Sequence, residues 1–592
     1  MLMAATTDIY EGEVQSSGVS QLDAMRHSLA HIMAEAVLQL FPDAKLGIGP
    51  WIENGFYYDF DLPRSLTPDD LAKIEMLMRE RIASASPFER RAITEEDGLR
   101  LFADQPYKRE LIESFAGKDL SVYHHGSFTD LCRGPHVADT SKVGAFKLLS
   151  VAGAYWRGDE HRPMLQRIYG VAFTTQEELD AYLERLELAR QRDHRKLGKE
   201  LHLFTFSDLV GPGLPLFLPR GEMLRHLMES YVRETQTRYG YEHVWTGNMV
   251  KRELFEKSGH LQHYADVMFP AMVDEDQAFM LKPMNCPSHM TLYNSELHSY
   301  RDLPLRYAEF CTLYRYERSG ELSGLTRVRS LTQDDCHVFC TPEQVEEEFG
   351  RALDLIREVL DTYGLTDYRV QLSLRDPVGG KFVDDPEKWN LAEAALRRSL
   401  DAKGVQYVPV LGEAAFYGPK ADFMAKDVLG REWQLSTIQV DFIQPARLGC
   451  EYVGEDNSAH TPVVIHRAVT GATERFMGVI IEHFGGAFPL WLSPVQAMVL
   501  SIADRHAPYA QEVAARLKAA GLRPEADVRN ERLQYKIREA QLQKTPYMLI
   551  VGDSEAANHT VSVRDRAGAK RDAVPVDTLI AELVEQSRSR AR

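Results

Sequence analysis

The run YRYERSGELSGLTRVRSLTQDDCHVFC, residues 314–340, decides how this chain is to be read. Arg315 stands in YRYE and Arg327 and Arg329 in RVRS, close to strand-like stretches and to acidic neighbours, and Arg475 in GATERF repeats the association. Planar guanidinium groups suit phosphate oxygens in bidentate fashion, and a magnesium-bound triphosphate needs several of them. A structural salt bridge accounts for any one of these arginines taken singly. The same run carries His337, in QDDCHVF, which has two distant companions: Cys286 in KPMNCPSH and His466 in VVIHRA. Their separations are too wide for a zinc finger. One soft thiolate and two imidazoles nevertheless form a fair three-ligand set for a catalytic zinc that keeps positions for substrate. A buried free cysteine with two satisfied core histidines is the competing account, and spacing alone does not separate the two.

Outward from this run, a chain of 592 residues is too long for one hydrophobic core, so three or four domains are expected. With 44% hydrophobic and 26% charged residues it reads as soluble and globular. No apolar run is long enough for a membrane span, and Asp8, Glu11 and Glu13 stand where a signal peptide needs positive charge and apolar residues. A cytoplasmic protein without membrane contact is expected. Its six cysteines lack the spacing of a disulfide framework, which leaves reduced thiols, metal ligation or catalysis. The net charge of −18 speaks, taken alone, against a nucleic-acid partner. A local basic patch from Arg529, Lys536, Arg538, Arg564 and Arg566 could still be focused on one face, with a solvated charged surface as the plain alternative.

The organisation is that of an α+β multidomain protein. Residues 1–20 are polar and aperiodic and are expected to be disordered. Leu22, Leu29, Ile32, Met33, Ala36, Val37 and Leu40 recur at helical spacing up to Pro42, predicting an amphipathic helix that opens a mixed α/β domain over 21–175. Residues 176–201, with Leu183, Leu186 and Leu188 among Glu, Arg and Lys, predict an exposed linker helix. The block 202–490 contains strand-like runs at 368–374, 433–442 and 462–469 and predicts a large antiparallel sheet flanked by helices. After Pro494 the pattern becomes β-α-β-α, which predicts a separate small α/β domain over 491–592.

Taken together, residues 314–340 resemble motif 2 of the class II aminoacyl-tRNA synthetases, and GATERFMGVIIEHFGG (471–486) resembles motif 3. KPMNCPSH, QDDCHVF, FYGPK (416–420) and VVIHRA are similar to the threonine-specific members, and the likeness runs from about residue 20 to the C-terminus. The resemblance implies that Cys286, His337 and His466 hold one Zn2+ per subunit, which binds threonine through its amino group and hydroxyl. Asp335 matches the residue that takes the amino group, and Gln333, Tyr417, Gln439 and Ala472 line the pocket. Arg315 matches the clamp on carboxylate and α-phosphate. Glu317, Arg327, Leu331, Gln434 and Arg475 match the site of ATP and its Mg2+, with Lys420 and His260 in the same cleft. A hydroxyl-seeking metal rejects isosteric valine. It cannot reject serine, because a missing methyl is worth roughly 1–3 kcal/mol, about 10- to 200-fold, so a second hydrolytic site is expected.

His27 and His31 lie one helical turn apart, and Cys132 and His136 stand in DLCRGPH. Read unaided, this set divides between a metal site and a polar hydrolytic pocket. It resembles the editing domain of threonyl- and alanyl-tRNA synthetases, which implies that these residues and Asp130 position water against a seryl ester without a required metal. Tyr57, Tyr58 and Asp59 are candidates for the same pocket, or for packing. DVRNERLQYKIRE (527–539) and YMLIVGDSE (547–555) resemble the anticodon-binding domain, in which Asn530, Glu555 and Arg564 match base-contacting positions. Glu222–Met249 matches motif 1, which implies a homodimer, and tRNA(Thr), threonine and ATP are the implied partners. The likeness departs from the family pattern in several places. An N-terminal ubiquitin-like module is missing from the match, and Gly247 stands for a proline. Leu331 stands for a phenylalanine, Leu435–Ser436 for Cys-Gly and Ala472 for a serine. For Leu331, Leu435, Ser436 and Ala472, a second-copy enzyme altered to resist an active-site inhibitor and plain lineage variation are the two explanations. Two rivals are a seryl- or prolyl-specific class II enzyme and a non-catalytic RNA-binding paralogue.

Overall fold

The structure is a computed structural model that describes residues 20–115, 119–159, 161–377, 382–427 and 430–591; of residues 1–20, expected to be disordered, 1–19 lie outside them and Ser20 is ordered as a helix cap. The chain divides into two compact units between Glu187 and Leu188.

The first unit opens with helix α1, Gln21–Leu40. Ser20 caps it: its hydroxyl accepts from Asp23 N, and the Asp23 carboxylate accepts from Ser20 N. The expected helix is present and is buried beyond its apolar stripe: every residue from Met25 to Val37 is buried. The helix is covered on one side by α2 (Pro68–Ala83) and on another by strand β1 (Gly55–Asp61), and its histidines face a cavity instead of water. Strands β2 (Glu89–Ile93), β3 (Leu120–His125) and β4 (Phe128–Leu131) form a three-stranded sheet, while β5 (Ala145–Tyr155) and β6 (Met164–Phe173) join β1 in a five-stranded one. Alternation along β1 sorts its candidate pocket residues. Tyr58 turns with Phe56 and Phe60 toward the core under α1, whereas Tyr57 and Asp59 turn away to Arg167 and Tyr169 and take no part in the cavity.

The expected single linker helix is two helices, α3 (Gln176–Arg192) and α4 (His194–Glu200). Asp193 breaks the run because its side chain accepts from Arg195 N and so starts α4 anew. In the second unit α5 (Pro219–Arg238), α6 (Cys286–Tyr293), α7 (Val345–Tyr363) and α8 (Thr473–His483) flank one eight-stranded sheet. Its strands are β7 (Glu242–His243), β8 (Leu305–Tyr314), β9 (Ser330–Cys340), β10 (Tyr368–Leu374), β11 (Tyr407–Leu411), β12 (Lys420–Lys426), β13 (Glu432–Asp441) and β14 (Val463–Ala472). In space they run β7-β8-β9-β14-β13-β12-β10-β11. The interior pairs are antiparallel, but the two edge pairs, β7 with β8 and β10 with β11, are parallel.

Two irregularities shape the centre of this sheet. Between Gln333 and Asp335 the register with β14 slips, and the Asp334 carboxylate accepts from the freed N–H groups of Val469 and Thr470. Gly471 allows this bulge at φ +63°, where a Cβ would lie 2.7 Å from Leu435 O. Between Phe423 and Met424, β13 carries Leu435 as an extra residue.

The C-terminal part of the same unit has β15 (Ala497–Ser501), α9 (Ala507–Ala519), β16 (Pro524–Asp527), α10 (Leu533–Leu542), β17 (Tyr547–Val551), β18 (Thr560–Asp565), β19 (Lys570–Pro575) and α11 (Val576–Arg588). Its sheet order is β16-β15-β17-β18-β19. Three members of the possible basic patch are engaged within the fold. Lys536 is buried and donates to Ser501 O and Asp527 O, Arg529 pairs with Asp527 and Glu539, and Arg566 donates to Phe488 O and Lys544 O. Among the described residues no helix is long and apolar enough to cross a membrane.

Candidate functional site

Period-two alternation puts Gln333, Asp335 and His337 of β9 on one face, and the register sets His337 opposite His466, which lies opposite Gln439. The N-terminus of α6 brings in Cys286, so the donor atoms of Cys286, His337 and His466 lie within 4.8 Å of one another. Their neighbours fix the proton positions. His466 Nε2 is 3.0 Å from Asp441 Oδ2 and so carries its proton there, which leaves a lone pair on Nδ1. His289 Nε2 faces Glu309 at 3.0 Å, so its Nδ1 is free to accept from His337 Nδ1 at 2.8 Å. His337 Nε2 and His466 Nδ1 then point lone pairs at each other across 3.0 Å beside the Cys286 thiol. Such a pair repels unless a Lewis acid or a proton stands between them, and the donor set fits zinc.

This cluster ends a cavity of about 210 Å³ whose wall includes Asp335, Tyr417 and Lys420. Tyr417 donates to Gln439 at 2.7 Å, and Lys420 Nζ is 2.7 Å from Asp422. Burial, with Asp334 and Glu309 next, pushes the Asp335 carboxyl up to about 8, so a bound cation would relieve it. A second cavity of about 220 Å³ adjoins the first and contains Glu317, Arg327, Leu331, Gln434, Ala472 and Arg475. Arg315, Gln333, Thr437, Gln439 and Ala468 line both. Arg475 is lowered by burial first and then by the Arg315 and Arg327 cations, so three guanidinium groups converge where an anion would separate them. Arg475 Nε donates to Thr326 O at 3.0 Å, and Arg327 pairs with Glu317 at 2.8 Å. Leu331, Leu435, Ser436 and Ala472, four of the expected departures from the family pattern, all line this second cavity. His260 lies elsewhere: wholly buried, it sets Nε2 3.9 Å from Cys286 Sγ and Nδ1 2.8 Å from Ser258 Oγ, behind the thiol and outside both cavity walls. Asp422 was not legible beforehand. It accepts from Lys420, Gln434 and Thr437 together, but in the sequence it is one acid in a strand.

In the first unit His27, His31, Cys132 and His136 bring their donor atoms within 4.8 Å of one another. A cavity of about 550 Å³ is lined by His27, His31 and Cys132, in the size range of sites for drug-sized ligands. Cys132 Sγ is 3.4 Å from His27 Nε2 and 3.3 Å from His136 Nε2. His31 has no hydrogen-bond partner at Nδ1, and its Nε2 is 3.8 Å from Asp130. Asp130 also accepts from Tyr58 at 2.6 Å and pairs with Lys108 at 2.6 Å. Lys108, buried on the cavity wall, belongs to no motif, and only its burial marks it.

Burial lowers His27 from the ordinary 6.5 to about 4 and lowers His31 and His136 in the same direction. The unfolded chain therefore takes up these protons before the folded one does. Stability is complete above pH 6.5 and is lost as pH falls toward 4, by about 3 kcal/mol for His27 alone. The stability of wild type relative to His27→Gln, measured by denaturant unfolding, is expected to fall between pH 7.5 and 4.5. A pH-independent difference would contradict the buried neutral histidine.

In the C-terminal domain Asn530 is exposed, while Arg564 is half-buried with no hydrogen-bond partner at Nε. Both oxygens of Glu555 are engaged, by Gly552 N at 3.0 Å and Ser562 Oγ at 2.9 Å, so it holds the turn before β18.

Comparison with known proteins gives three family matches: the tRNA synthetase class II core domain (G, H, P, S and T) over residues 269–484, an anticodon binding domain over 496–586, and the threonyl and alanyl tRNA synthetase second additional domain over 120–169. The threonine–tRNA ligase of Rubrobacter xylanophilus is 64% identical over 93% of this chain and 86% of its own length. That of Thermus thermophilus is 50% identical over 95% and 88%. Among solved structures, the RNA binding domain of threonyl-tRNA synthetase from Cryptosporidium parvum is similar with a TM-score of 0.64 and 39% identity, covering 67% of this chain and 98% of that one.

Proposed function

The chain belongs to the threonine–tRNA ligase family, and from that premise we propose how its side chains divide the work. Its reaction joins threonine to tRNA at the expense of ATP, and its editing domain hydrolyses seryl-tRNA. The reading rests on one observation: two cavities share Arg315 as a common wall. Threonine takes the cavity of Asp335, Tyr417 and Gln439. ATP, with Mg2+, takes that of Arg327, Gln434 and Arg475. Arg315 then reaches both the amino-acid carboxylate and the α-phosphate, where attack by a carboxylate oxygen on phosphorus expels pyrophosphate. No side chain supplies a nucleophile. The gain comes from alignment and from cationic charge held against the phosphates. The terminal ribose hydroxyl of the tRNA next attacks the activated carbonyl and releases AMP.

Cys286, His337 and His466 would hold zinc, which when bound supplies a Lewis acid for the amino group and hydroxyl of threonine. Asp441 and His289 orient the two imidazoles, and Asp335 accepts a hydrogen bond from the amino group. In the editing cavity the four polar residues orient water without a required metal. Asn530 and Arg564 face the anticodon, with Glu555 shaping the turn beside them. Two copies assemble through the motif 1 segment, where Trp245 is 79% and Met249 56% exposed. The non-catalytic paralogue is not favoured, since Arg315, Arg475 and the Cys286, His337, His466 set are all in place. Pyrophosphate exchange on a preparation of twice the 67.3 kDa chain mass is expected with threonine and, more weakly, with serine, and at background with valine. Valine exchange equal to that of serine, or a monomeric mass at micromolar concentration, would refute the corresponding part.

A further inference from the structure

Helix α4 begins with a buried acid–imidazole pair outside the two cavities. His194 is 4% exposed, and its Nδ1 lies 2.6 Å from Glu482 Oε1, which also accepts from the His194 main-chain N at 3.0 Å. On its other edge, Nε2 is 3.0 Å from Leu325 N. A backbone N–H can only donate, so Nε2 must hold a lone pair and Nδ1 the proton that Glu482 accepts. Both edges of one ring are thus committed, one to α8 and one to the segment between β8 and β9.

That segment presents the nucleotide side of the site. It carries Glu317 and Arg327, and Thr326 O, one residue beyond Leu325, accepts from Arg475 Nε at 3.0 Å. The ring is enclosed as well as bonded. Gly324 sits at φ +47° with room for no side chain, since a Cβ there would be 2.2 Å from His194 Nε2. Glu482 is held from its far side by Arg431, which also pairs with Asp427. Asp193, His194 and Glu482 bring donor atoms within 4.8 Å, but each is already engaged: Asp193 by Arg195, His194 by Leu325, and Glu482 by His194 and Arg431. The cluster is therefore a connection and not a cation site.

We propose that His194 is a positioning residue for ATP: through Glu482 it anchors to α8, and through Leu325 it fixes the loop that sets Arg327 and Arg475 against the phosphates. The inference rests on reading the Arg315–Arg475 cavity as the ATP site. Losing one hydrogen bond of ordinary strength corresponds to about 5- to 10-fold in binding.

The test is threonine-dependent ATP–pyrophosphate exchange by the full chain, with KM determined separately for ATP and threonine. H194N keeps a donor near the Nδ1 position and loses the acceptor at Nε2, whereas H194Q places an amide oxygen near the Nε2 position. H194N is expected to raise KM for ATP about 5- to 10-fold with KM for threonine within about twofold and seryl-tRNA hydrolysis unchanged, and H194Q to recover most of that loss. Should H194N fold poorly, G324A strains the same contact from the loop side and is expected to raise KM for ATP selectively. Equal rises for ATP and threonine, or no recovery in H194Q, would reduce His194 to a packing residue. R475A separates the two levels of the argument. If it leaves KM for ATP unchanged, the reading of the cavity falls and the clamp with it; if it raises KM while H194N does not, the clamp alone falls.

Discussion

Cys286→Ala is expected to lower threonine-dependent pyrophosphate exchange by about 1,000-fold while leaving seryl-tRNA hydrolysis within about twofold of wild type. The size follows from what the thiol does. A metal acting as Lewis acid and template contributes several kcal/mol, and each 1.4 kcal/mol is about tenfold. Without Cys286, His337 and His466 remain as an incomplete donor set whose lone pairs face each other at 3.0 Å. Zinc content should fall from one per chain toward zero in the same variant, giving a readout independent of turnover. The selectivity follows from the division of the chain between Glu187 and Leu188, which puts Cys286 and Cys132 in different compact units. Full exchange activity in zinc-free Cys286→Ala protein would end the metal assignment. Loss of hydrolysis in a folded variant would show that the two chemistries are not separable.

Much of this architecture was legible in the sequence because it is local. The strand 368–374 appears with the bounds read from its alternation, and the helix before Pro42 ends at Leu40. What stayed hidden depends on partners distant along the chain. The burial of α1 comes from α2 and β1, elements outside the helix that its own spacing does not announce, and Lys108 gains meaning only from Asp130. The same holds for charge. Arg529, Lys536 and Arg566 look like a basic patch in one dimension, yet Arg529 pairs with a carboxylate and the other two donate to carbonyl oxygens of the fold. The candidate residues of the class II core converge in two adjoining cavities, whereas His260, placed without a motif, lies behind the Cys286 thiol. His194 shows a third kind of gap. Its sequence context is a charged helix start, and nothing there points to Leu325, which lies 131 residues away.

The second large effect is expected at Cys132. Burial pushes its thiol up to about 12, so at neutral pH it is an S–H group and not a nucleophile, and hydrolysis must proceed by water. The surrounding protons can be placed. His27 Nδ1 is 3.2 Å from Pro135 O and donates to it, leaving a lone pair on Nε2. Ser28 Oγ donates to Ala24 O at 2.8 Å, so it accepts from His136 Nδ1 at 3.1 Å, which leaves a second lone pair on His136 Nε2. Both lone pairs face Cys132 Sγ, but a thiol has one proton, so one imidazole remains free to take a proton from water beside a bound seryl ester. Alanine at 132 removes the group that holds this balance, and His31→Ala removes the neighbouring ring, whose Nδ1 has no hydrogen-bond partner. A positioned acid–base group is worth about 100- to 10,000-fold, and each variant should lose about 100-fold in seryl-tRNA hydrolysis. Threonylation should proceed at the wild-type rate while seryl-tRNA accumulates whenever serine competes, because discrimination by the synthetic site against a missing methyl is limited to about 10- to 200-fold. Treating the wild-type enzyme with a chelator separates the two readings of the four-residue cluster. Hydrolysis that survives removal of all metal supports water held by neutral imidazoles, and hydrolysis that is lost and then restored by added zinc would make the cluster a metal centre. Unchanged deacylation in both Cys132→Ala and His31→Ala would remove the editing assignment altogether.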